Sequence, residues 1–317
     1  MRRINRTMGL VASGALALSL GLAGCSSGSG ESAPASAAPA PASAAPASEA
    51  APVTGIAYNA ALHDALPADV LAKGSLTLAT DPTDPPLEFY NEANEIVGSE
   101  VDLAAALATI LGVKIELVPS KFDAIIPGVE AGRFDGSVSG FADRKNRQEV
   151  VDFVDYFTTS RGYLVKTGTQ DDLKDATELC GKSVAVAKGT TMADSIVELS
   201  DACVTAGKEA IDAQVYPDQS ACTLAVQSGR ADVTIQGAHA ALWIAKNSGG
   251  ELEVFLRPTE GNDINGILLK KGGLAEPMRA AIQQLMDSGD FETMWANWGL
   301  QDVIMSTATI NGGVNES

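Results

Sequence analysis

Three acids and one arginine are the residues whose chemistry stands out first. Asp81, Asp84 and Glu88 fall in one short stretch, Thr80-Asp81-Pro82-Thr83-Asp84-Pro85-Pro86-Leu87-Glu88-Phe89. Clustered carboxylates can hold a cationic group or, in pairs, move protons, and neither task needs a longer motif. In a chain with 40 Asp and Glu against 22 Lys and Arg, solvated loop acids are the competing reading. Arg147 carries a planar guanidinium with two parallel donors that match a carboxylate. With Arg144 and Lys145 beside it, composition alone reads this segment as a charged surface loop. Gly189-Thr190-Thr191 offers a second anion corner: a turn entering a helix exposes free backbone N–H groups and the positive end of the helix dipole. Plain helix capping by either threonine uses the same residues. His63 and His239 are far apart and have no Cys or carboxylate neighbours at ligand spacing, so no metal and no cofactor is expected. His239 reads as a helix-surface residue. From Gly74 onward neither a Gly-x-Ser-x-Gly elbow nor a phosphate-binding Gly-rich loop with its Lys is present in the sequence.

The formal net charge of -18 argues against nucleic-acid or anionic-lipid binding, since the long-range field repels phosphate. Arg2, Arg3 and Arg6 precede an apolar stretch from Met8 to Leu22 that is thinned by glycines and short for a permanent span. It ends in Leu22-Ala23-Gly24-Cys25, which resembles the lipobox of bacterial lipoproteins. That resemblance implies a signal peptide over residues 1–24, a lipid on Cys25, and a membrane-anchored protein on the extracytoplasmic face. Residues 25–55 are nearly all Ser, Ala, Gly and Pro and cannot build a core, so they are expected to form a disordered linker. Outside the cytosol thiols tend to pair. Cys180 and Cys203 lie at the margins of expected elements and are the pair favoured here, with Cys222 a small core residue. Three buried, reduced thiols are the alternative.

From Gly74 onward strands and helices alternate. Leu76–Ala79, Val113–Val118 and Gly136–Ser139 read as strands. Helices are expected behind Ser99 and Ser120 as caps, closed by Gly112 and Gly132, with Pro127 bending the second. After Gly181 the alternation restarts: strands at Ser183–Ala187, Ala213–Tyr216, Ala231–Gln236 and Glu251–Leu256, with helices from Thr191, Ser220 and Ala238 between them. Ile264–Lys270 returns as an extended segment, and helices over Glu276–Ser288 and Phe291–Trp298 end the pattern. Such βαβ alternation predicts an α/β fold with parallel sheets. Trp295 and Trp298 read as core.

Several segments resemble the polar amino-acid class of bacterial extracellular solute-binding proteins that serve ABC importers. They are the Thr80–Phe89 stretch, Ile96-Val97-Gly98-Ser99-Glu100-Val101-Asp102-Leu103-Ala104, Phe122-Asp123-Ala124-Ile125-Ile126-Pro127, and Arg133-Phe134-Asp135. Asp143-Arg144-Lys145-Asn146-Arg147, Val151-Asp152-Phe153, Lys188-Gly189-Thr190-Thr191, Gly229-Arg230-Ala231-Asp232 and Trp298-Gly299-Leu300 complete the series. The resemblance spans nearly everything from residue 74 to 301.

It implies a two-lobed α/β fold with two mainly parallel sheets flanked by helices and a two-strand hinge. One lobe would comprise residues 56–160 plus 264–317, and the other 161–263. It implies further that a small ligand, an amino acid or related carboxylate, is captured by a monomer between the lobes and handed to the permease. Arg147 and Thr190–Thr191 stand where the family binds the ligand carboxylate from opposite lobes, and Ser139 and Gly140 where it supplies hydroxyl and backbone contacts. Two departures matter. Asp84 stands where an aromatic residue often stacks on the ligand, and Gly237 where an Asp usually pairs with the α-ammonium. Asp84, Glu88 or Asp81 are the candidates to meet a cationic group instead. Phe89 is the favoured apolar wall of the pocket. A few family members are dehydratases in the same cleft, so an enzyme acting on a small carboxylate is the alternative to a binding protein.

Overall fold

The structure, a computed structural model, describes residues 55–169, 173, 176–256 and 263–313. The expected signal peptide, Cys25 and the expected linker up to residue 54 lie outside them. The chain opens with two short helices, α1 (Ala60–Asp64) and α2 (Ala68–Lys73), then strand β1 (Ser75–Thr80). A small antiparallel sheet follows, made of β2 (Thr83–Asp84), β3 (Glu88–Tyr90) and β4 (Ile96–Val97). Next come α3 (Ser99–Leu111), β5 (Lys114–Pro119), α4 (Phe122–Glu130), β6 (Gly136–Ala142), the single turn α5 (Lys145–Gln148) and the long β7 (Val151–Thr159).

One residue, Ser160, separates β7 from β8 (Arg161–Lys166), which belongs to a different sheet. That sheet is completed by β9 (Ser183–Ala187), α6 (Thr191–Thr205), β10 (Asp212–Tyr216), α7 (Gln219–Gln227), β11 (Val233–Gly237), α8 (Ala238–Asn247) and β12 (Leu252–Leu256). The chain then returns through β13 (Asp263–Lys270), α9 (Ala275–Ser288), α10 (Asp290–Ala296) and β14 (Ile304–Ile310). The large sheet has the order β14-β7-β13-β6-β1-β5 and the other β10-β9-β11-β8-β12. Helices flank both.

Parallel pairing does not hold throughout. β6-β1-β5 and β10-β9-β11 are parallel, whereas β7, β13, β14, β8 and β12 pair antiparallel with their neighbours. The parallel parts are those whose strands are joined by crossover helices, the connection that parallel pairing demands. The antiparallel parts are where the chain passes between sheets or returns along an edge. Two caps also differ from expectation. Ser99 is buried in the first turn of α3 behind Gly98, and α4 starts behind Lys121 rather than Ser120. The first amide of α4, at Phe122, is instead satisfied by Oδ2 of Asp81 at 3.1 Å, a partner no local pattern could show.

The larger core packs Leu76, Leu78, Leu103, Leu107, Ile110, Tyr156, Trp295 and Trp298 between the six-stranded sheet and helices α3, α9 and α10. The five-stranded sheet has a smaller apolar cluster on each face. Cys180 and Cys203 are bonded to each other, with Cα atoms 5.5 Å apart, and tie the approach to β9 onto α6. Cys222 is free and fully buried, and burial raises its thiol pKa to about 12.

Candidate functional site

The site lies where the C-terminal ends of β1, β6, β9 and β11 converge, the position at which open α/β sheets leave a crevice. The cavity holds about 620 Å³ of empty space counting its open mouth. Residues from both sheets line it. Of the expected site residues, Asp81, Asp84, Glu88, Ser139, Gly140, Arg147, Thr190, Thr191 and Gly237 meet there.

Phe89 does not. It follows Glu88 in a strand, where successive side chains point to opposite faces, so if Glu88 faces the cavity Phe89 turns away. Its ring packs against Trp243 and Trp298, with centroids 6.0 and 5.9 Å away. Cys180 and Cys203 are likewise absent from the lining; they brace the five-stranded sheet.

One end of the cavity suits an anion. The Arg147 side chain leaves the α5 turn over the ring of Phe141, 5.4 Å from its centroid. Its Nη1 donates to the carbonyl of Ala142 at 2.9 Å, and its Nη2 donates across the cleft to the carbonyl of Gly189 at 3.0 Å. Burial lowers its pKa to about 10, so the cation persists at neutral pH. Facing it is the start of α6. Thr190 caps that helix: its Oγ1 accepts from the amide of Ala193 at 3.2 Å and donates to the carbonyl of Ala187 at 2.7 Å. The hydroxyl of Thr190 is therefore committed to the helix. The first-turn amides of Thr191 and Met192 have no intrahelical partner and remain for an anion, with the dipole behind them.

The other end is acidic. The Asp81 carboxyl, besides capping α4, has its pKa raised to about 6 by burial. Beneath it lies a connected polar column. Ser139 Oγ accepts from the Asp81 amide and donates to Glu88 Oε1, both at 2.9 Å. Glu88 and Glu100 are both buried and in contact, with Glu100 taking hydrogen bonds from Tyr156 and from the amide of Gly140. Burial first, then the Glu100 charge, pushes the Glu88 pKa well above the carboxylate range. Glu88 is the protonated partner of this pair, because two carboxylates in contact cannot both ionise out of water.

Asp84 stands between the two walls. Its Oδ2 lies 3.5 Å from Nε2 of His239, and its Oδ1 is buried with no hydrogen-bond partner among the described residues. Gln219 Oε1, on the opposite wall, is another buried acceptor without a donor among the described residues. His239 itself corrects an expectation: it is 7% exposed, lines the cavity, and places Nδ1 3.0 Å from Thr159 Oγ1. The reason lies in Gly237. A Cβ added there would sit 2.3 Å from Cε1 of His239, so the imidazole occupies the room a side chain at 237 would need. Asp218 and Gln219 were also not anticipated, although an Asp immediately before a helix is a cap signal and Asp218 Oδ1 does accept from the amide of Ala221 at 2.8 Å. Asp263 and Asn265 arrive on the return strand, and Asp263 is engaged by the buried Arg144 at 2.7 Å. No group of three or more His, Cys, Asp or Glu able to hold a metal occurs among the described residues.

Residues 76–301 match the bacterial extracellular solute-binding proteins, family 3. The chain belongs to that family. Among its relatives is an arginine-binding protein of Corynebacterium glutamicum, 31% identical over 248 residues, which cover 78% of this chain and 81% of that one. The structure of an ancestral arginine-binding protein bound to arginine superposes with a TM-score of 0.64 at 30% identity, covering 71% of this chain and 98% of that one. An ancestral amino acid-binding protein described as a precursor of cyclohexadienyl dehydratase gives 0.65 at 28% identity, covering 73% and 97%. The fold shared with this family is two-lobed, and the cavity lies between the lobes built on the two large sheets.

Proposed function

We propose that this family member captures an amino acid, preferentially one with a cationic side chain, and delivers it to the permease of an ABC importer. The supporting observation is the pairing of Asp84 Oδ1 and Gln219 Oε1, two buried acceptors without donors that face the cavity from opposite walls. A buried acceptor left unpaired costs about 1–3 kcal/mol, which a donor-rich ligand group recovers. Asp81, Asp84 and Asp218 also exceed the positive charge that Arg147 brings, because Glu88 is protonated and Asp263 is held by Arg144. A zwitterion alone would leave that surplus unmet; an extra ammonium or guanidinium would not. The carboxylate then goes to Arg147 and the amides of α6.

In this reading residues 56–160 and 264–317 form one lobe and 161–263 the other, and they close because the ligand bridges both sets of donors. A lipid on Cys25 and the Ala/Ser/Pro linker would keep the cleft at high local concentration beside its membrane partner. The protein works as a monomer and without catalysis. An enzyme acting on a small carboxylate is the second reading, favoured by the protonated Glu88 in the cleft wall as a general acid; ligand recovered unchanged from denatured protein removes it.

Thermal shifts against the common amino acids and dicarboxylates test the proposal, since a ligand that binds only the folded form raises its melting temperature. Arginine or lysine is expected to give the largest rise, and Asp84→Asn to weaken that ligand by about tenfold or more. A dicarboxylate as best ligand, or no response to any amino acid, would refute it.

A further inference from the structure

The family match ends at residue 301, but the ordered fold continues beyond it. β14 forms the edge of the large sheet and runs antiparallel along β7, in register at Ile304 with Phe157, Thr309 with Asp155 and Ile310 with Val154. The segment then turns onto two buried acids. Asp155 Oδ2 accepts from Thr309 Oγ1 at 2.9 Å and from the amide of Gly312 at 2.8 Å. Asp143 Oδ2 accepts from the amide of Gly313 at 2.7 Å, and Gln148 Nε2 spans Asp143 Oδ1 at 2.7 Å and the Gly313 carbonyl at 3.1 Å.

Asp143 is also part of the turn that carries the cleft's cation. The carbonyl before it, of Ala142, accepts from Arg147 Nη1, and the carbonyl after it, of Arg144, accepts from the amides of Arg147 and Gln148. Gly313 has to be a glycine for this fit, because a Cβ there would lie 2.2 Å from the Asp143 carbonyl oxygen. Burial, then the nearby Asp143 charge, raises the Asp155 pKa to about 7. The terminal segment thus brings the amide of Gly312 to Asp155 and that of Gly313 to Asp143, beside Thr309 Oγ1 on the first acid and Gln148 Nε2 on the second.

We propose that residues 304–313 form a strap that positions Arg147, acting through Asp143, Gln148 and Gly313, and so sets the affinity for the ligand's carboxylate. An edge strand that only closed the sheet would need none of the bonds to Asp143. The strap instead ends on the side chains of Asp143 and Gln148, which flank Arg147 at the two ends of its own turn. The proposal rests on the reading that Arg147 takes a ligand carboxylate.

The test compares L-arginine with agmatine, which keeps the guanidinium and amine but lacks the carboxylate, by calorimetric titration of the mature protein. Three variants loosen the strap to different degrees: Gly313→Ala, Gln148→Leu, and a chain ending at Asn311. Each is expected to weaken L-arginine by about tenfold or more, as losing a well-aimed charged hydrogen bond does, while agmatine changes by less than about twofold. Equal losses for both ligands would reduce the strap to a general structural role, and unchanged L-arginine affinity in the folded variants would also overturn it. If the wild-type protein holds agmatine as tightly as L-arginine, the carboxylate reading itself fails, and the strap's role fails with it. Gln148→Leu keeps the test decisive should the truncated chain not fold.

Discussion

The wall of the cleft that comes from the six-stranded lobe presents charged side chains braced from below, whereas the five-stranded lobe presents the beginnings of helices. Asp81, Asp84, Glu88 and Arg147 belong to the first wall, and the column of Ser139, Glu100 and Tyr156 fixes the acids in place. The second wall offers the start of α6 behind Thr190, the start of α7 behind Asp218, and the imidazole of His239 over Gly237. The shifted carboxyls divide the same way. Asp81, Glu88, Glu100, Asp102 and Asp155 are all raised and all lie on elements of the six-stranded lobe. Buried charge specifies a ligand but has to be held; backbone amides at a helix start hold themselves. The six-stranded side of the cleft therefore carries the buried charge, and the five-stranded side, tied by the Cys180–Cys203 bond, offers helix starts.

The largest effect that would break this contrast is Arg147→Ala. It should cost roughly 3 kcal/mol of binding, about a hundredfold in Kd by titration calorimetry, with little change in circular dichroism. Next is Glu88. Glu88→Gln mimics the protonated carboxyl and should keep stability within about 1 kcal/mol, while Glu88→Ala leaves Ser139 and Glu100 without their partner and should cost about 2–3 kcal/mol in urea unfolding. If the two behave alike, Glu88 is not the proton carrier of the column.

The raised acids give a pH dependence with a definite sign. The folded chain holds protons on Asp81 and Asp155 that the unfolded chain releases near the ordinary value of 3.8, so this contribution is complete below that pH. It is lost as the pH rises through about 6 and about 7, the values of the folded groups. The ligand-free protein should melt at a higher temperature at pH 5 than at pH 8, and Asp155→Asn, which imitates the protonated form, should narrow the gap. The smallest effect is on the other wall. Thr190→Ala removes a helix cap and should lower stability by about 1 kcal/mol with only a several-fold loss of affinity, because the amides of Thr191 and Met192 remain.

Much of the fold was legible because alternation, glycine stops and helical spacing are local. Strands such as β9 and helices such as α8 fall where period and punctuation put them. β7, β8 and β14 were not legible: each is defined by a partner strand brought from elsewhere in the chain, and β14 reads as plain sequence until it meets β7. The site divides in the same way. Arg147, Asp84 and the Gly189-Thr190-Thr191 turn were recognisable by residue type within motifs. His239 was not, because its position in the first turn of α8 says nothing of a ring folded back over Gly237 toward Asp84 of the other lobe.

The sequence by itself determined the order of elements, the acidic balance and which side chains could bind charge, since those properties belong to residues and their near neighbours. Tertiary structure decided the protonation of Glu88, the donorless oxygens of Asp84 and Gln219, and the seating of Arg147 by a strap that begins more than a hundred and fifty residues later. Each of those depends on desolvation and on contacts between segments distant in the chain, and neither exists until the chain is folded.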